Sequence, residues 1–292
     1  MIGKPELVIN EEATLGEGPF WDNKSNLLYW VDILEKRIYI YNPETKLNRQ
    51  IQLESLVGAV VPRSKGGLIL ALEDGFHSMD PDSGKINKIS DPESHLPANR
   101  FNDGKCDAYG RFWAGTMKKD DPINEGALYC LDTSLKAEKK LDNIGISNGL
   151  AWSPDNRYFY FIDTPTKKVV RYDYDLETGE IQNKIDIITI PKSQGMPDGM
   201  TIDSEGMLWI AHWGGARVSR WNPSTGEQVD SIVIPALNVT SCTFGGKELN
   251  ELFITTARVG MNENELREYP LSGSVFKIKT EIKGMITNSF RG

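Results

Sequence analysis

A unit of 40 to 50 residues recurs six times along the chain. Each copy opens with Gly or another small residue, enters a short apolar stretch, and turns into a second stretch rich in Leu, Trp, Tyr and Phe. A third stretch then leads through another turn to a weaker fourth. The copies start near residues 18, 58, 104, 149, 199 and 241. Four short strands in a unit of this length are typical of a β-propeller blade.

The repeat predicts an all-β fold, a six-bladed β-propeller of four-stranded blades. No stretch shows a sustained apolar period of 3.6 residues, so we expect few helices. No Pro- or Ser-rich linker divides the 292 residues, and we therefore expect one domain over residues 1–292, although this length could also form two. A strand from residues 7–9 or from residues 282–290 could close the ring, and the sequence leaves both alternatives open.

The composition of the chain excludes some classes of binding partner and indicates a cellular compartment. The formal net charge is −8, which argues against a nucleic-acid partner because such proteins carry a basic stripe. The apolar runs are too short for a membrane span. Three cysteines are too few and too irregular for a disulfide framework. The first residues lack the pattern of a signal peptide, so we expect a cytoplasmic protein.

Polar residues stand directly before a Gly at the start of four of the six predicted innermost strands. They are Glu17, Asp103 (preceded by Asn102), Asn148 and Asp198. Asn-Gly and Asp-Gly pairs are common turns, but their recurrence at one blade position, together with a Glu, favours a functional interpretation. The loops that enter the innermost strands of a propeller meet at one end of its central channel. These side chains should therefore converge there.

Such a group of oxygen atoms is suited to a hard divalent cation. Carboxylate and amide oxygens are typical ligands of Ca²⁺, Mg²⁺ and Mn²⁺, whereas Zn²⁺ usually recruits His or Cys. We identify Glu17, Asn148 and Asp198 as the metal ligands. Three protein ligands leave positions open for water and substrate, as in catalytic metal sites.

Several segments resemble the SMP-30/gluconolactonase/regucalcin (LRE-like) family. They are residues 15–21, 99–105, 110–117, 146–152, 197–200 and 241–246. Together they cover nearly the whole chain in order. The resemblance implies a six-bladed propeller with one divalent metal ion at the channel mouth, an enzyme that hydrolyses sugar lactones (a gluconolactonase-like carboxylic-ester hydrolase).

The resemblance also assigns roles to individual residues. The metal ligands of the family fall on Glu17, Asn148 and Asp198, and its substrate-binding arginine and asparagine fall on Arg100 and Asn102. A glutamate of the family that approaches substrate is matched here only by the shorter Asp120, which leaves the substrate preference open. Ca²⁺ is the metal we expect, with Zn²⁺, Mg²⁺ and Mn²⁺ as alternatives.

The expected reaction is attack of water on a lactone carbonyl that the metal polarises, with Asp198 as the catalytic base. Asp103 could orient Arg100. Three other readings remain: a calcium-binding, regucalcin-like regulatory protein with little catalysis, an esterase or organophosphate hydrolase, and a scaffold that binds another protein. The expected partner is a small sugar lactone, with no nucleic acid and no membrane; the oligomeric state is open.

Other features receive structural interpretations. Residues 118–126 form a long polar insertion that could be a lid or a plain solvated loop. His212 is expected to be packed or hydrogen-bonded, and Cys106 to be a small buried residue. The seven tryptophans are interpreted as blade packing and not as a platform for a carbohydrate.

Overall fold

The chain folds into six four-stranded antiparallel sheets arranged in a ring, a six-bladed β-propeller, as predicted. This is seen in a computed structural model, which describes residues 2–120 and 124–292. The first five sheets follow chain order: β2 (Gly16–Asp22), β3 (Leu27–Asp32), β4 (Arg37–Asn42), β5 (Leu47–Gln52); β6 (Val57–Pro62), β7 (Leu68–Leu72), β8 (Gly75–Met79), β9 (Ile86–Ser90); β10 (Asn99–Cys106), β11 (Phe112–Lys118), β12 (Gly126–Leu131), β13 (Ala137–Ile144); β14 (Ser147–Trp152), β15 (Tyr158–Asp163), β16 (Lys168–Tyr174), β17 (Ile181–Thr189); β18 (Met196–Ile202), β19 (Leu208–Trp213), β20 (Arg217–Trp221), β21 (Gln228–Val233).

The sixth sheet is closed by the N-terminal strand. It contains β22 (Asn238–Gly245), β23 (Glu251–Ala257) and β24 (Ser274–Lys279), and its outermost strand is β1 (Glu6–Asn10), which pairs antiparallel with β24. Of the two alternatives for the closing strand, the N-terminal one is therefore correct. Pairing the two ends of the chain in one blade removes the edges that an open ring would expose.

The C-terminal segment has a different position. Residues 281–292 cross the far end of the channel, beyond the ends of the innermost strands. Gly284 forms a bridge with Asp203 of blade five, and Phe290 forms a bridge with Arg63 of blade two. The Arg291 amide donates to the Gly110 carbonyl of blade three at 3.0 Å. The segment therefore ties three blades together from below.

Helices are few, as expected. In the described part of the chain the α-helical element is α1 (Glu263–Glu268), which begins with a capping box formed by Asn262 and Glu265. Single 3-10 turns cover Thr164–Thr166 and Lys192–Gln194. Among the described residues no helix is long and apolar enough to cross a membrane.

The blades pack through alternating apolar side chains, and six of the seven tryptophans belong to this core. Trp21, Trp30, Trp113, Trp152, Trp209 and Trp221 are buried. A buried aspartate anchors the innermost hairpin of two blades, because Asp107 accepts from Trp113 Nε1 and Asp203 from Trp209 Nε1, each at 2.8 Å. The interpretation of tryptophans as packing residues is correct for these six. Trp213 is the exception, described below.

Candidate active site at the channel mouth

A β-bulge near the start of each innermost strand determines where the polar residues at the strand starts point. The strand that carries it shifts register at the same point in all six blades: Glu17/Phe20, Val57/Ala59, Phe101/Gly104, Asn148/Leu150, Pro197/Met200 and Val239/Ser241. A bulge adds an unpaired residue and turns its side chain out of the regular alternation. Here it directs side chains to the channel axis.

Glycine makes this geometry accessible in two different ways. Gly18 has a φ of +54°, in the left-handed region that disfavours other residues. A Cβ atom on Gly199 would lie 2.1 Å from Ser241 Oγ of the next blade. Glycine is therefore required for the turn at Gly18 and for the close approach of neighbouring strands at Gly199.

Six polar side chains converge at this end of the channel, and all are buried. They are Glu17, Arg100, Asn102, Asp103, Asn148 and Asp198, with exposures of 3–7%. The structure thus brings together all the predicted ligands and two of the three predicted substrate-binding residues, Arg100 and Asn102. Asp120 is different: it is exposed, borders the undescribed residues 121–123, and does not line the cavity formed by the described residues.

Glu17 and Asp198 form a close pair of buried carboxyl groups. Burial, followed by the nearby Asp103 carboxylate, raises the pKa of Glu17 to about 8. Burial, followed by Glu17, raises the pKa of Asp198 well above its usual value, and a hydrogen bond joins the two carboxyl groups. Without a cation, the pair holds a proton at neutral pH because two buried negative charges repel each other.

The donor set fits a hard divalent cation. Glu17, Asp103 and Asp198 are buried, and the basic side chains described beside them are the buried Arg100 and the partly exposed Lys105, so ionising all three acids leaves an excess negative charge. The described residues contain no cluster of three His, Cys, Asp or Glu side chains able to hold a metal. If the acidic pair holds an ion, a third protein ligand would be neutral, and the Asn148 side chain lines the same cavity as the pair.

A chain of hydrogen bonds fixes the Asn148 amide. Its Nδ2 donates to Thr164 Oγ1 at 2.8 Å, and that hydroxyl donates to the Pro197 carbonyl at 2.8 Å. Its Oδ1 accepts from Asn102 Nδ2 at 3.2 Å. The orientation of the amide is therefore set by both neighbours, with its oxygen towards the blade-three side of the channel mouth.

Thr164 was not predicted from the sequence. It lies in the turn after β15, buried, and links Asn148 of blade four to the residue before Asp198 of blade five. Its partners are 16 and 33 residues away, and no pattern in the sequence marks a hydroxyl at this position. Only the assembled ring reveals its contact with Asn148 and with the residue that precedes Asp198.

Arg100 keeps donors available for a ligand. One terminal nitrogen donates to the Phe101 carbonyl at 2.9 Å and to Asn102 Oδ1 at 2.8 Å. Among the described residues, Nε and the other terminal nitrogen make no hydrogen bond. Burial lowers the pKa of Arg100 to about 10, opposed by Glu17, Glu73 and Asp198, and the side chain stays charged at neutral pH.

Asp103 and Lys105 lie deeper in the channel. Asp103 accepts from the Gly104 amide at 2.7 Å and burial raises its pKa. Lys105 Nζ donates to the Met200 carbonyl at 2.7 Å. The hypothesis that Asp103 orients Arg100 is not supported, because the described hydrogen bonds of Arg100 go to Phe101 and Asn102.

Five of the six polar side chains, all except Asp103, form the floor of a cavity of about 360 Å³. Its lining also includes Thr164 and five apolar residues: Leu15, Met117, Ile146, Met196 and Trp213. This volume is at the lower end of ligand pockets. Trp213 is partly exposed here, so the interpretation of every tryptophan as packing is wrong for this one.

His212, beside Trp213, is a structural residue. It is fully buried, with Nδ1 against the Gln194 carbonyl at 2.9 Å and Nε2 against Ser219 Oγ at 2.5 Å. Burial lowers its pKa to about 4, and the ring is neutral at physiological pH. Cys106 is buried as expected, and burial raises its pKa well above the usual value.

The insertion at residues 118–126 lies only partly within the described residues, because residues 121–123 are outside them. Lys118 pairs with Glu125 at 3.0 Å, Lys119 pairs with Glu73, and Asn99 Nδ2 donates to the Glu125 carbonyl at 2.9 Å. Its two described ends are therefore attached to the body of the propeller.

A larger groove of about 630 Å³ lies on the outer wall between blades three and four. Its charged residues are engaged with one another at the surface: Lys168 pairs with Asp186 at 2.5 Å, and Lys140 with Glu180 at 2.7 Å. It has no buried cluster of polar side chains. The chemistry is therefore concentrated in the smaller cavity at the channel mouth.

Comparison with known proteins gives consistent findings. The SMP-30/Gluconolactonase/LRE-like region matches residues 15–258. The Bacillus subtilis (strain 168) protein YvrE, named as a proposed sugar lactone lactonase, is 41% identical over 98% of each chain. Regucalcin of Danio rerio is 39% identical over 99% of each chain. A solved structure of the calcium-binding protein regucalcin from Agrobacterium tumefaciens superposes with a TM-score of 0.95, at 27% identity, covering 99% of this chain and 98% of that one.

Proposed function

Because the chain belongs to the SMP-30/gluconolactonase/LRE-like family, we propose that it is a divalent-metal-dependent hydrolase that opens sugar lactones. The observation that carries the proposal is a cavity lined by the buried Glu17–Asp198 pair, by the Asn148 amide, whose orientation is fixed, and by Arg100, which keeps free donors. The name of the Bacillus subtilis relative supports a sugar lactone as the substrate.

Glu17, Asn148 Oδ1 and Asp198 would hold the ion, and Ca²⁺ is the first choice for this all-oxygen set. When bound, the ion would polarise the lactone carbonyl and make water a better nucleophile. Binding requires that the carboxyl pair release its proton. Binding of the ion would replace the repulsion between the two buried carboxylates by their attraction to a cation.

The residues of the chain supply the proton transfer and the orientation of substrate. Asp198 accepts a proton from the attacking water as the water oxygen bonds to the acyl carbon. The ring C–O bond then breaks, and the same proton can pass to the departing oxygen, giving a hydroxy acid. The free N–H groups of Arg100 are suited to the negative charge that develops on substrate oxygens. Asn102 positions both Arg100 and Asn148.

A second candidate is calcium binding without significant catalysis, favoured by the name of the Danio rerio and Agrobacterium relatives. Metal binding alone does not require an arginine with unused donors at the cavity floor, which favours the enzyme.

The test is hydrolysis of sugar lactones by metal-stripped protein, with Ca²⁺, Mg²⁺, Mn²⁺ or Zn²⁺ restored one at a time and Asp198→Asn as the matched variant. Proton release is followed with an indicator, and an aryl ester is included in the panel. The proposal predicts that one ion restores turnover of a lactone and that the variant lacks this turnover. Tight metal binding without turnover would establish the second candidate, whereas preference for the aryl ester would indicate an esterase.

A further inference from the structure

A second cavity lies at the far end of the channel, beneath the C-terminal segment, and its volume is about 360 Å³. The innermost strands of blades three, four and five contribute residues 105–106, 151–152 and 201–202 to its lining, and the C-terminal segment contributes residues 284–288. Several of these residues, Lys105 among them, are at least partly exposed, so solvent reaches the cavity. It shares no lining residue with the proposed active site.

The insertion at residues 118–126 is attached at the opposite end of the channel. Lys118 is the register partner of Asn99 at the start of β10, and the Glu125 carbonyl accepts from Asn99 Nδ2. Lys105 stands near the other end of the same strand, about 20 Å away at a rise of about 3.3 Å per residue. Both described ends of the insertion are therefore at the mouth, far from this second cavity.

The far-end cavity contains one cation and no acid. Lys105 is the only Lys or Arg among the described residues that line it, and none of them is Asp or Glu. The Lys105 ammonium donates to the Met200 carbonyl at 2.7 Å and forms no ion pair with a described residue. Asp103, earlier in the same strand, accepts from the Gly104 amide at 2.7 Å instead. Because an ammonium group has three N–H donors, two of them remain available.

Three neutral polar side chains line the same cavity without a hydrogen bond to any described residue. They are Asn156, Thr201 and Asn288. They belong to blade four, blade five and the C-terminal segment, so they approach the cavity from three sides. Thr201 is buried, whereas both asparagines are partly exposed. Together with Lys105 they supply an ammonium, two amides and a hydroxyl, all of which can donate hydrogen bonds.

The bond from Lys105 to Met200 links blades three and five, but this link alone needs only one of the three N–H groups. Removing an ammonium group from water is unfavourable unless it is paired. An oxyanion in the cavity would supply the missing opposite charge and would accept from the neutral donors as well. Charge-assisted hydrogen bonds of this kind are among the strongest in proteins.

We propose that the far-end cavity binds a small oxyanion, a phosphate or a carboxylate, held by the Lys105 ammonium and by the side chains of Asn156, Thr201 and Asn288. The site is separate from the proposed lactonase chemistry and does not depend on it. A bound anion would connect the C-terminal segment to the innermost strands of blades three and five.

The test is calorimetric titration of protein loaded with one equivalent of Ca²⁺, with inorganic phosphate and acetate as separate probes, at about 0.15 M chloride to screen surface charges. We expect saturable binding of one anion per chain, and the probe that binds more tightly identifies the preferred group. Lys105→Met keeps the side-chain length and should weaken binding about 10- to 100-fold, whereas Lys105→Arg keeps the charge and should retain it. Absence of saturable binding of both probes would overturn the proposal.

The mouth of the channel offers other places for an anion, and two controls separate them from the far end. Arg100→Met removes the buried cation at the mouth and should leave the affinity for the probe near the wild-type value. Metal-stripped protein should also bind the probe as tightly as the loaded protein does. A loss of affinity in either control, with Lys105→Met unaffected, would place the anion at the mouth and contradict the proposal.

A further pair of variants leaves Lys105 in place and keeps the test decisive if Lys105→Met does not fold. Asn288→Asp puts a carboxylate into the cavity from a partly exposed position and should weaken binding at least tenfold by repulsion. Asn87→Asp makes the same charge change at an exposed position on blade two and should have no effect. Equal losses in the two variants would show general charge repulsion and overturn the site.

The alternative is that Lys105 only ties two blades together. In that case wild-type protein would bind neither phosphate nor acetate, while Lys105→Met would still lower the urea midpoint. None of these titrations uses a lactone, so their outcome is independent of whether the protein proves to be a lactonase.

Discussion

Replacing Thr164 by Val tests whether the hydrogen-bond chain holds the metal ligands in place. Val has the same shape but removes the acceptor for Asn148 Nδ2 and the donor to the Pro197 carbonyl, both at 2.8 Å. Each of the two buried groups left without a partner costs about 1–3 kcal/mol, so we expect a loss of about 2–6 kcal/mol in the free energy of unfolding. Freed from Thr164, the amide can rotate, and Ca²⁺ affinity should fall about 10- to 100-fold, as for other residues that orient ligands.

Calorimetric titration of metal-stripped protein measures the affinity, and urea unfolding measures the stability. Thr164→Ser keeps the hydroxyl and should restore affinity to near the wild-type value. Thr166→Val is the matched control in the same turn, since its hydroxyl donates to the Asp163 carbonyl at 2.7 Å and is exposed. Wild-type Ca²⁺ affinity in Thr164→Val would refute the positioning role, whatever the change in stability.

Three further predictions follow from the site and the fold. Arg100→Lys keeps the charge but loses the planar guanidinium, so kcat/KM for the lactone should fall roughly 100-fold. The Ca²⁺ affinity of this variant should change much less. Equal losses of kcat/KM and of Ca²⁺ affinity would contradict a substrate-binding role. The metal-free protein should lose stability as pH rises from about 4.5 to about 8, because the raised pKa values of Glu17 and Asp198 make the folded state bind protons more tightly than the unfolded state. Over the same pH range Ca²⁺ affinity should rise, by about tenfold per pH unit for each proton displaced. A Ca²⁺ affinity that does not change in titrations at several pH values would show that Glu17 and Asp198 are not the ligands. Phe290→Ala should lower the free energy of unfolding by about 3–5 kcal/mol, because this side chain is fully buried. Ile286 in the same segment is 65% exposed, so Ile286→Ala should have little effect. Similar urea midpoints for the two variants would argue against the C-terminal segment as a tie between blades.

The blade repeat and the site glycines were readable from the sequence because both reflect local constraints. Gly149 and Gly199 follow a polar residue at corresponding points, since every innermost strand carries its bulge there. The innermost strands consequently begin within a few residues of the predicted starts. The same recurrence identified Glu17, because glutamate is not a residue that turns favour.

Other features depend on contacts between distant segments, and the sequence could not reveal them. The closing strand was ambiguous because residues 7–9 and 282–290 are both partly apolar, and only packing on β24 distinguishes them. Met117 and Trp213 resemble ordinary strand residues, yet the curvature of the ring turns them to the cavity. Asp120 was assigned by resemblance, and in the structure it lies outside the cavity lining of the described residues.

The central claim is that one ion bound by Glu17, Asn148 and Asp198 makes the protein a lactonase. A single titration tests it: Mn²⁺ is added to metal-stripped protein while bound ion is counted by electron paramagnetic resonance and lactone turnover is recorded in the same sample. We expect turnover to rise in proportion to occupancy and to stop rising at one ion per chain, and we expect neither signal in a Glu17→Gln/Asp198→Asn variant. Turnover that is already complete without metal, or full occupancy with no turnover, would contradict it.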